Sequence, residues 1–323
     1  MRYWTRIALV LGVALMIGLA IRESAASIAG LLKEAGWLLL LLVPLHTAPL
    51  FLDVVGWRVL ILEPARTRSL FLIATIREAI NRLLPVANVG GELVGIRLLA
   101  QHGVRSSTAA ASVIVEMLLH VVALYLFVVL GVVCLLSITD RIAGSSALFA
   151  IIASPVPLGV LVVWLVRKGT PMKLAEYIGA RTLIAKVERL VTSSKTGQLK
   201  CAVTRLASAH SRLSLSVILQ LVGLTVGCLE TWLALRWLGH PLSFEGAFIL
   251  ESTTLVVRSL LFVAPAGLGV QEAGLVGIGH MLGLGGDVAV ALSLAKRMRE
   301  ILFGLPALAA WYMATRPKPV VVL

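Results

Sequence analysis

The chain has 323 residues, of which 59% are hydrophobic and only 14% charged, with a formal net charge of +13 and a mean hydropathy of +0.98. A soluble domain carries about 25% charged residues, so this composition excludes a water-soluble enzyme and points to an all-α polytopic membrane protein. The basic residues flank apolar runs, which makes anionic phospholipid headgroups, and not nucleic acid, the partner of the positive charge.

A helix needs about 20 apolar residues to cross a bilayer. Six crossings are predicted on that length, over about 6–22, 36–58, 107–138, 146–166, 213–238 and 288–313. In chain order, residues 1–35 form a first transmembrane helix and a linker. Arg2 and Arg6, the run from Ile7 to Ile21 and Ser24-Ala25-Ala26 imitate a signal peptide, but further spans follow and favour an uncleaved helix. Residues 36–138 form a first repeat unit, 139–212 a connecting span and basic loop, 213–315 a second unit, and 316–323 a tail. Trp4, Trp37, Trp57, Trp164, Trp237 and Trp311 fall near the ends of the apolar runs, where interfacial tryptophan is expected.

Positive charge orients the set. The segment from Arg167 to Arg212 is rich in Lys and Arg, with only Glu176 and Glu188 opposing them. It is predicted to be cytoplasmic, as are both termini. Within it, Leu183, Ile184, Val187, Leu190 and Val191 recur at helical spacing opposite Lys186 and Arg189. That pattern suits an in-plane amphipathic helix, or equally an ordinary solvated linker helix.

Two apolar segments are broken in the middle. Residues 70–106 carry Pro85-Val86-Ala87-Asn88-Val89-Gly90-Gly91-Glu92, and residues 244–286 carry Pro265-Ala266-Gly267-Leu268-Gly269-Val270-Gln271-Glu272. Pro removes a backbone donor and Gly permits unusual dihedrals, so a helix cannot continue undisturbed. Irregular backbone at membrane depth must be buried in protein or line a cavity. Each segment is therefore read as a re-entrant helical hairpin. A shift of 180 residues superposes Pro85 on Pro265, Glu92 on Glu272, Gly103 on Gly283 and Glu116 on Lys296. The charge rule places the two units in opposite orientations. Inverted repeats with broken helices are a signature of secondary transporters, with the substrate at the breaks.

Ionisable residues in these spans cost roughly 2.5–3.5 kcal/mol each on insertion scales. The set comprises Asp53, Arg77, Glu78, Arg82, Glu92, Glu116, Glu230, Glu251, Arg258, Glu272, Lys296, Arg297, Arg299 and Glu300. Taken singly, each has internal pairing that locks helices together as its bland reading. Together they ask for a polar cleft, whose basic members suit a phosphate and whose acidic members orient them or carry protons. Asn88, Gly90, Gly91, Gly267 and Gly269 offer backbone N–H groups at helix starts, which favour anions, or simply make turns. Gln271 adjoins Glu272 in the same stretch. No nucleophile motif, nucleotide loop or metal-ligand spacing accompanies them. His120, one turn beyond Glu116, is read as a packing residue, and Cys134, Cys201 and Cys228 fit no disulfide framework. No cofactor and no metal is expected.

At PVANVGGELVGIR (Pro85 to Arg97) and PAGLGVQE (Pro265 to Glu272) the chain resembles the membrane, flippase-type domain of lysylphosphatidylglycerol synthases, and among its free-standing relatives the hopanoid-biosynthesis-associated membrane proteins. The resemblance covers about residues 35–315. It implies a bacterial inner membrane and movement of a lipid between leaflets. It also places Asn88, Gly90, Gly91, Glu92 and Arg97, with Pro265, Gly267, Gly269 and Glu272, in the family's motif regions. The soluble aminoacyl-transferring domain is missing from this sequence, so synthesis of the lysyl lipid is not implied. The expected function is translocation of an anionic phospholipid or a hopanoid or polyprenoid lipid. The alternatives are an enzyme acting on a lipid headgroup and a scaffold for lipid-synthesis enzymes.

The inverted arrangement has a direct check. Single cysteines at Asp140 and Ser194 are expected to react with an impermeant maleimide from opposite sides of the membrane. Labelling from one side would remove the inversion.

Overall fold

The computed structural model describes residues 14, 18, 21–84, 90–138, 196–260 and 270–315. Among them every regular element is helical: α1 (Ala25–Ala35), a 3-10 turn (Gly36–Leu41), α2 (Leu42–Leu45), α3 (Thr47–Leu60), α4 (Thr67–Leu83), α5 (Gly90–Gln101), α6 (Ser106–Ile138), α7 (Thr196–Ala207), α8 (His210–Trp237), α9 (Phe244–Leu260), α10 (Val270–Met281) and α11 (Gly286–Thr315). Among the described residues three stretches are long and apolar enough to cross a membrane: Ala25–Leu60, Ser106–Leu135 and His210–Trp237. The expected crossing at 288–313 lies in α11, which has the length but carries Lys296, Arg297, Arg299 and Glu300 at its centre. The expected crossing at 146–166 and the amphipathic pattern at 183–191 lie outside the described residues, as does nearly all of 6–22.

Two expectations are corrected. Residues 25–35 are helix and not linker, because Ile28 and Ala35 sit at helical spacing and are buried among α8, α10 and α11 residues such as Leu235, Leu275 and Leu292. Trp57 is not interfacial but 1% exposed, and its indole Nε1–H donates to Ser112 Oγ on α6 at 3.2 Å.

The path from α1 to α3 is jointed. Gly36 takes φ 52 at the end of α1, a conformation that costs little only for glycine. Pro44 and Pro49 then withhold two backbone donors on either side of His46. Thr47 Oγ1 donates to the Pro44 carbonyl at 2.6 Å.

The two units share their local construction. α4 and α9 each have 17 residues, and α5 and α10 each have 12. Both short helices end on a glycine with positive φ, Gly103 at 91° and Gly283 at 80°. Val104 N–H then reaches back to Leu99 O (3.4 Å) and Leu284 N–H to Gly279 O (2.9 Å), while the glycines bond Ala100 O and His280 O at 3.2 Å each. This is the closure that an αL glycine allows at a helix C-terminus. The following helices start on acid-held ends. Glu63 accepts from Arg105 N (2.8 Å), Arg105 Nε (2.6 Å) and Thr108 Oγ1 (2.8 Å) before α6. Burial pushes the Glu63 carboxyl up, but these bonds outweigh it and hold it below the usual carboxylate range. Asp287 at the start of α11 accepts from Ser27 Oγ at 2.5 Å and from Val288 N at 2.9 Å, with the same downward effect. Carboxylates belong at helix N-termini, where the macrodipole is positive.

Packing between the units is reciprocal. α3 runs along α8, α11 packs on α4, and α6 packs on α9. Small residues allow the close approaches. A Cβ on Gly304 of α11 would lie 2.7 Å from Leu83 Cδ1, and one on Gly223 of α8 would lie 3.1 Å from Asp53 Oδ1. Small residues at such crossings are how helices associate where lipid supplies no hydrophobic drive. The apolar side chains form two clusters. One is built around Trp57, Leu70, Ile73 and Ile114, the other around Leu42, Leu235, Leu275 and Leu292. Leu126, Leu130, Val133, Leu215, Ile218, Val222, Ile301, Leu302 and Leu305 remain exposed on the outside, as lipid-facing residues would be.

Gly91 is the tightest point of the first hairpin, since a Cβ there would lie 2.3 Å from the Arg77 carbonyl oxygen and 2.7 Å from Asn81 Oδ1. Gly91→Ala is expected to lower stability by about 1–3 kcal/mol, the usual cost of overpacking. Gly277→Ala, where a Cβ meets nothing within 4 Å, is expected to be neutral or slightly stabilising. Unfolding in detergent micelles distinguishes the two.

Candidate functional site

The charges expected to be costly in a bilayer are largely gathered in the interior. Arg77 on α4 is the first centre. Its Nη2 donates to Glu92 Oε2 of α5 and to Glu116 Oε2 of α6 at 2.6 Å, and its guanidinium lies 4.6 Å from the Trp57 ring centroid. A desolvated cation–π contact of this kind contributes about 2 kcal/mol. Asn81, one turn along α4, donates Nδ2–H to Glu92 Oε1 at 3.2 Å and accepts from the Gly91 backbone N–H at 2.9 Å. A side chain thus satisfies one of the donors left free at the start of α5.

The second centre is on α11. Helical spacing puts Lys296, Arg299 and Glu300 on one side, as the sequence implied. Lys296 Nζ pairs with Glu251 of α9, which also accepts from Thr231 Oγ1 at 2.7 Å. Arg299 Nη1 pairs with Glu230 Oε2 of α8 at 3.0 Å. Arg297 reaches Glu272 Oε1 of α10 at 3.4 Å and Glu300 Oε2 at 3.2 Å. Glu272 is 1% exposed and accepts from Ser293 Oγ at 2.9 Å.

His46, at the joint between α2 and α3, ties α4 to the α11 centre. Its Nε2 contacts Glu78 Oε1 of α4 at 2.9 Å, and its Nδ1 contacts Glu230 Oε1 of α8 at 2.8 Å. Arg299 Nη1 also approaches Nδ1, and Phe303 packs edge-on against the ring at 5.0 Å. Arg82 closes the circuit, 3.9 Å from Glu78 and 3.6 Å from Glu300. Asp53 faces the α3–α8 crossing, and its Oδ1 is buried without a hydrogen-bond partner. Arg77 Nε, Gln271 Oε1, Glu272 Oε2 and Arg299 Nε are likewise buried and unpartnered. Buried polar atoms in that condition are uncommon and call for an explanation.

Of the residues expected from the sequence, Asp53, Arg82, Gly91, Glu92, Glu116, Glu230, Gln271, Glu272, Lys296, Arg299 and Glu300 are brought into or beside this network. Gly90 opens α5 at its edge. Arg97 is not brought in: it points to the exposed side of α5. Asn88, Gly267, Gly269 and the side chain of Arg258 lie outside the described residues. His120 packs as expected, Nδ1 on Gln220 Oε1 at 3.1 Å. His46, Trp57 and Asn81 were missed. Asn81 follows Glu78 by three residues at the end of a helix pattern, a signal available to a closer reading.

Within the described network, Arg77, Arg82, Lys296, Arg297 and Arg299 face Asp53, Glu78, Glu92, Glu116, Glu230, Glu251, Glu272 and Glu300. Carboxylates exceed permanent cations, and every one of those cations is engaged by a carboxylate of this chain. A bare cationic pocket is therefore not what the helices build. They build internally paired charges.

A family model described as the lysylphosphatidylglycerol synthase TM region matches residues 4–307. No curated protein and no solved structure matches the chain significantly.

Removing Arg77 isolates two buried carboxylates. Arg77→Gln is expected to cost about 3–5 kcal/mol, as for other broken buried pairs, and Glu116→Gln in the same chain should recover part of it. Chemical unfolding in micelles measures both. Equal stability of wild type and Arg77→Gln would show that the pair carries little.

Proposed function

Because the chain belongs to the lysylphosphatidylglycerol synthase transmembrane-region family, we propose that it is a lipid translocase whose two inverted, re-entrant hairpins pass a headgroup between leaflets. The observation that carries this reading is the buried network itself. Glu92 of one hairpin pairs with Arg77 of α4, Glu272 of the other pairs with Arg297 of α11, and Arg82 of α4 reaches Glu300 of α11 between those two helices. Matching glycine closures and the reciprocal packing of α11 on α4 and α6 on α9 support the repeat.

The chemistry is one of exchange. A headgroup phosphate entering the cleft takes a place on a guanidinium that a carboxylate holds beforehand, and the displaced carboxylate turns to another cation of the network or takes up a proton. The acyl or polycyclic tail stays in the lipid against the exposed Leu and Ile faces. The substrate is an anionic phospholipid or a hopanoid or polyprenoid lipid of a bacterial inner membrane, and both chain termini are cytoplasmic.

Purified protein in proteoliposomes is expected to move a fluorescent phosphatidylglycerol between leaflets. Glu92→Gln and Glu272→Gln should each slow it by about tenfold or more, the factor that 1.4 kcal/mol represents, with folded protein retained. Wild-type rates in both variants would sink the paired-hairpin mechanism. Altered lipid mass without movement would favour a headgroup-modifying enzyme, and neither effect together with a co-purifying synthase would favour a scaffold.

A further inference from the structure

We infer that His46 is a proton-binding site that couples proton movement to the rearrangement of the two units. The inference rests on the translocase reading for its coupling role, but the site itself stands on geometry. His46 Nδ1 has two suitors that demand opposite things of it. Glu230 Oε1, at 2.8 Å, can only accept, so it needs a proton on Nδ1. Arg299 Nη1, which also approaches Nδ1, can only donate, so it needs a lone pair there. Both arrangements are within reach of the same side chains, because Arg299 also holds Glu230 Oε2 at 3.0 Å. Nε2 meets Glu78 at 2.9 and 3.0 Å and donates to it in either state.

Proton uptake therefore changes who holds whom. With the proton on Nδ1, His46 donates to Glu78 of α4 and to Glu230 of α8, clamping a helix of each unit, and Arg299 is released toward Glu300 Oε1, 3.9 Å away. When the proton leaves to water, Nδ1 accepts from Arg299 and Glu230 is held by Arg299 alone. No other bond is made or broken. The location suits movement: His46 sits between Pro44 and Pro49, where two backbone donors are lacking.

The groups facing His46 come from every element packed around it. They are Asp53 of α3, within electrostatic reach, Glu78 with Arg82 beside it from α4, Glu230 from α8, and Arg299 with the Phe303 ring from α11. Access is one-sided. Side-chain exposure rises from 13% at His46 to 20% at Glu78 and 30% at Arg82, but is 8% at both Glu230 and Arg299. The Glu78 side is the route by which a proton arrives and leaves in this conformation.

Two measurements test this. The first follows the His46 ring directly, by NMR of histidine-labelled protein in micelles, with His46→Gln identifying its resonance. The resonance is expected to titrate, and its midpoint to shift in Glu230→Gln. A resonance that does not titrate, or that ignores Glu230, overturns the site whether or not lipid moves. The second uses phosphatidylethanolamine–phosphatidylglycerol vesicles with fluorescent phosphatidylglycerol and an imposed pH gradient. Wild type is expected to respond to the gradient, and in His46→Gln the rates with and without it are expected to be equal, whatever their level. An undiminished response in His46→Gln, or lipid movement in wild type that ignores the gradient, overturns the coupling. A titrating His46 with no lipid movement at all in wild type would leave the proton site standing and remove the translocase reading.

Discussion

A charge in a bilayer must be matched or it is expelled, and the arrangement of this protein follows from that constraint. In the described network five permanent cations and a larger set of carboxylates lie on helices of both units, and each of those cations is held by an acid. The pairs are not confined to single helices. Arg77 reaches from α4 to α5 and α6, Lys296 and Arg299 reach from α11 to α9 and α8, and Arg82 reaches α11 from α4. Polar bonds thus add to the packing of α3 on α8, α4 on α11 and α6 on α9 that already joins the two units. Buried pairs are a poor source of net stability compared with well-packed hydrophobes. Their presence in such number is better explained by a need for alternative partners than by a need for strength.

The same constraint bears on the start of α5. A helix start exposes backbone N–H groups, and in lipid these have to be met. In the first hairpin Asn81 meets the Gly91 N–H, and Gly91 has to be glycine because the Arg77 carbonyl and the Asn81 amide occupy the space of a side chain. Glu92, the next residue, is thereby pressed against Arg77. The close approach and the ion pair are consequences of one another.

Much of this was legible in the sequence where a signal is local. Pro and Gly breaks, the 180-residue correspondence of Gly103 with Gly283, and the charges at Glu92, Glu272 and Lys296 are all visible in one dimension. The structure gives those glycines their positive φ and gathers those charges. What was not legible depends on contacts between distant segments. Trp57 stands at the end of an apolar run like an interfacial tryptophan, yet α6 supplies Ser112 and α4 supplies Arg77 to bury it. His46 looks like an isolated histidine beside a proline. Its partners come from residues 78, 230 and 299, and no spacing rule connects them. Residues 25–35 look like a polar linker because Lys33 and Glu34 interrupt them, although Ile28 and Ala35 mark a buried face. Arg97 errs in the other direction: its charge lies in a motif stretch, but helical phase turns it outward from α5.

In the proposed mechanism lipid passes because the two units move against one another, with α4 and α11 changing partners. The most direct measurement is to lock that crossing. A Cβ on Gly304 would stand 3.4 Å from Ala79 Cβ, close to the separation a disulfide spans. In a chain with Cys134, Cys201 and Cys228 replaced, oxidised Ala79→Cys/Gly304→Cys is expected to stop lipid movement, and reduction to restore it. A fully cross-linked protein that moves lipid as fast as the reduced one would contradict the account.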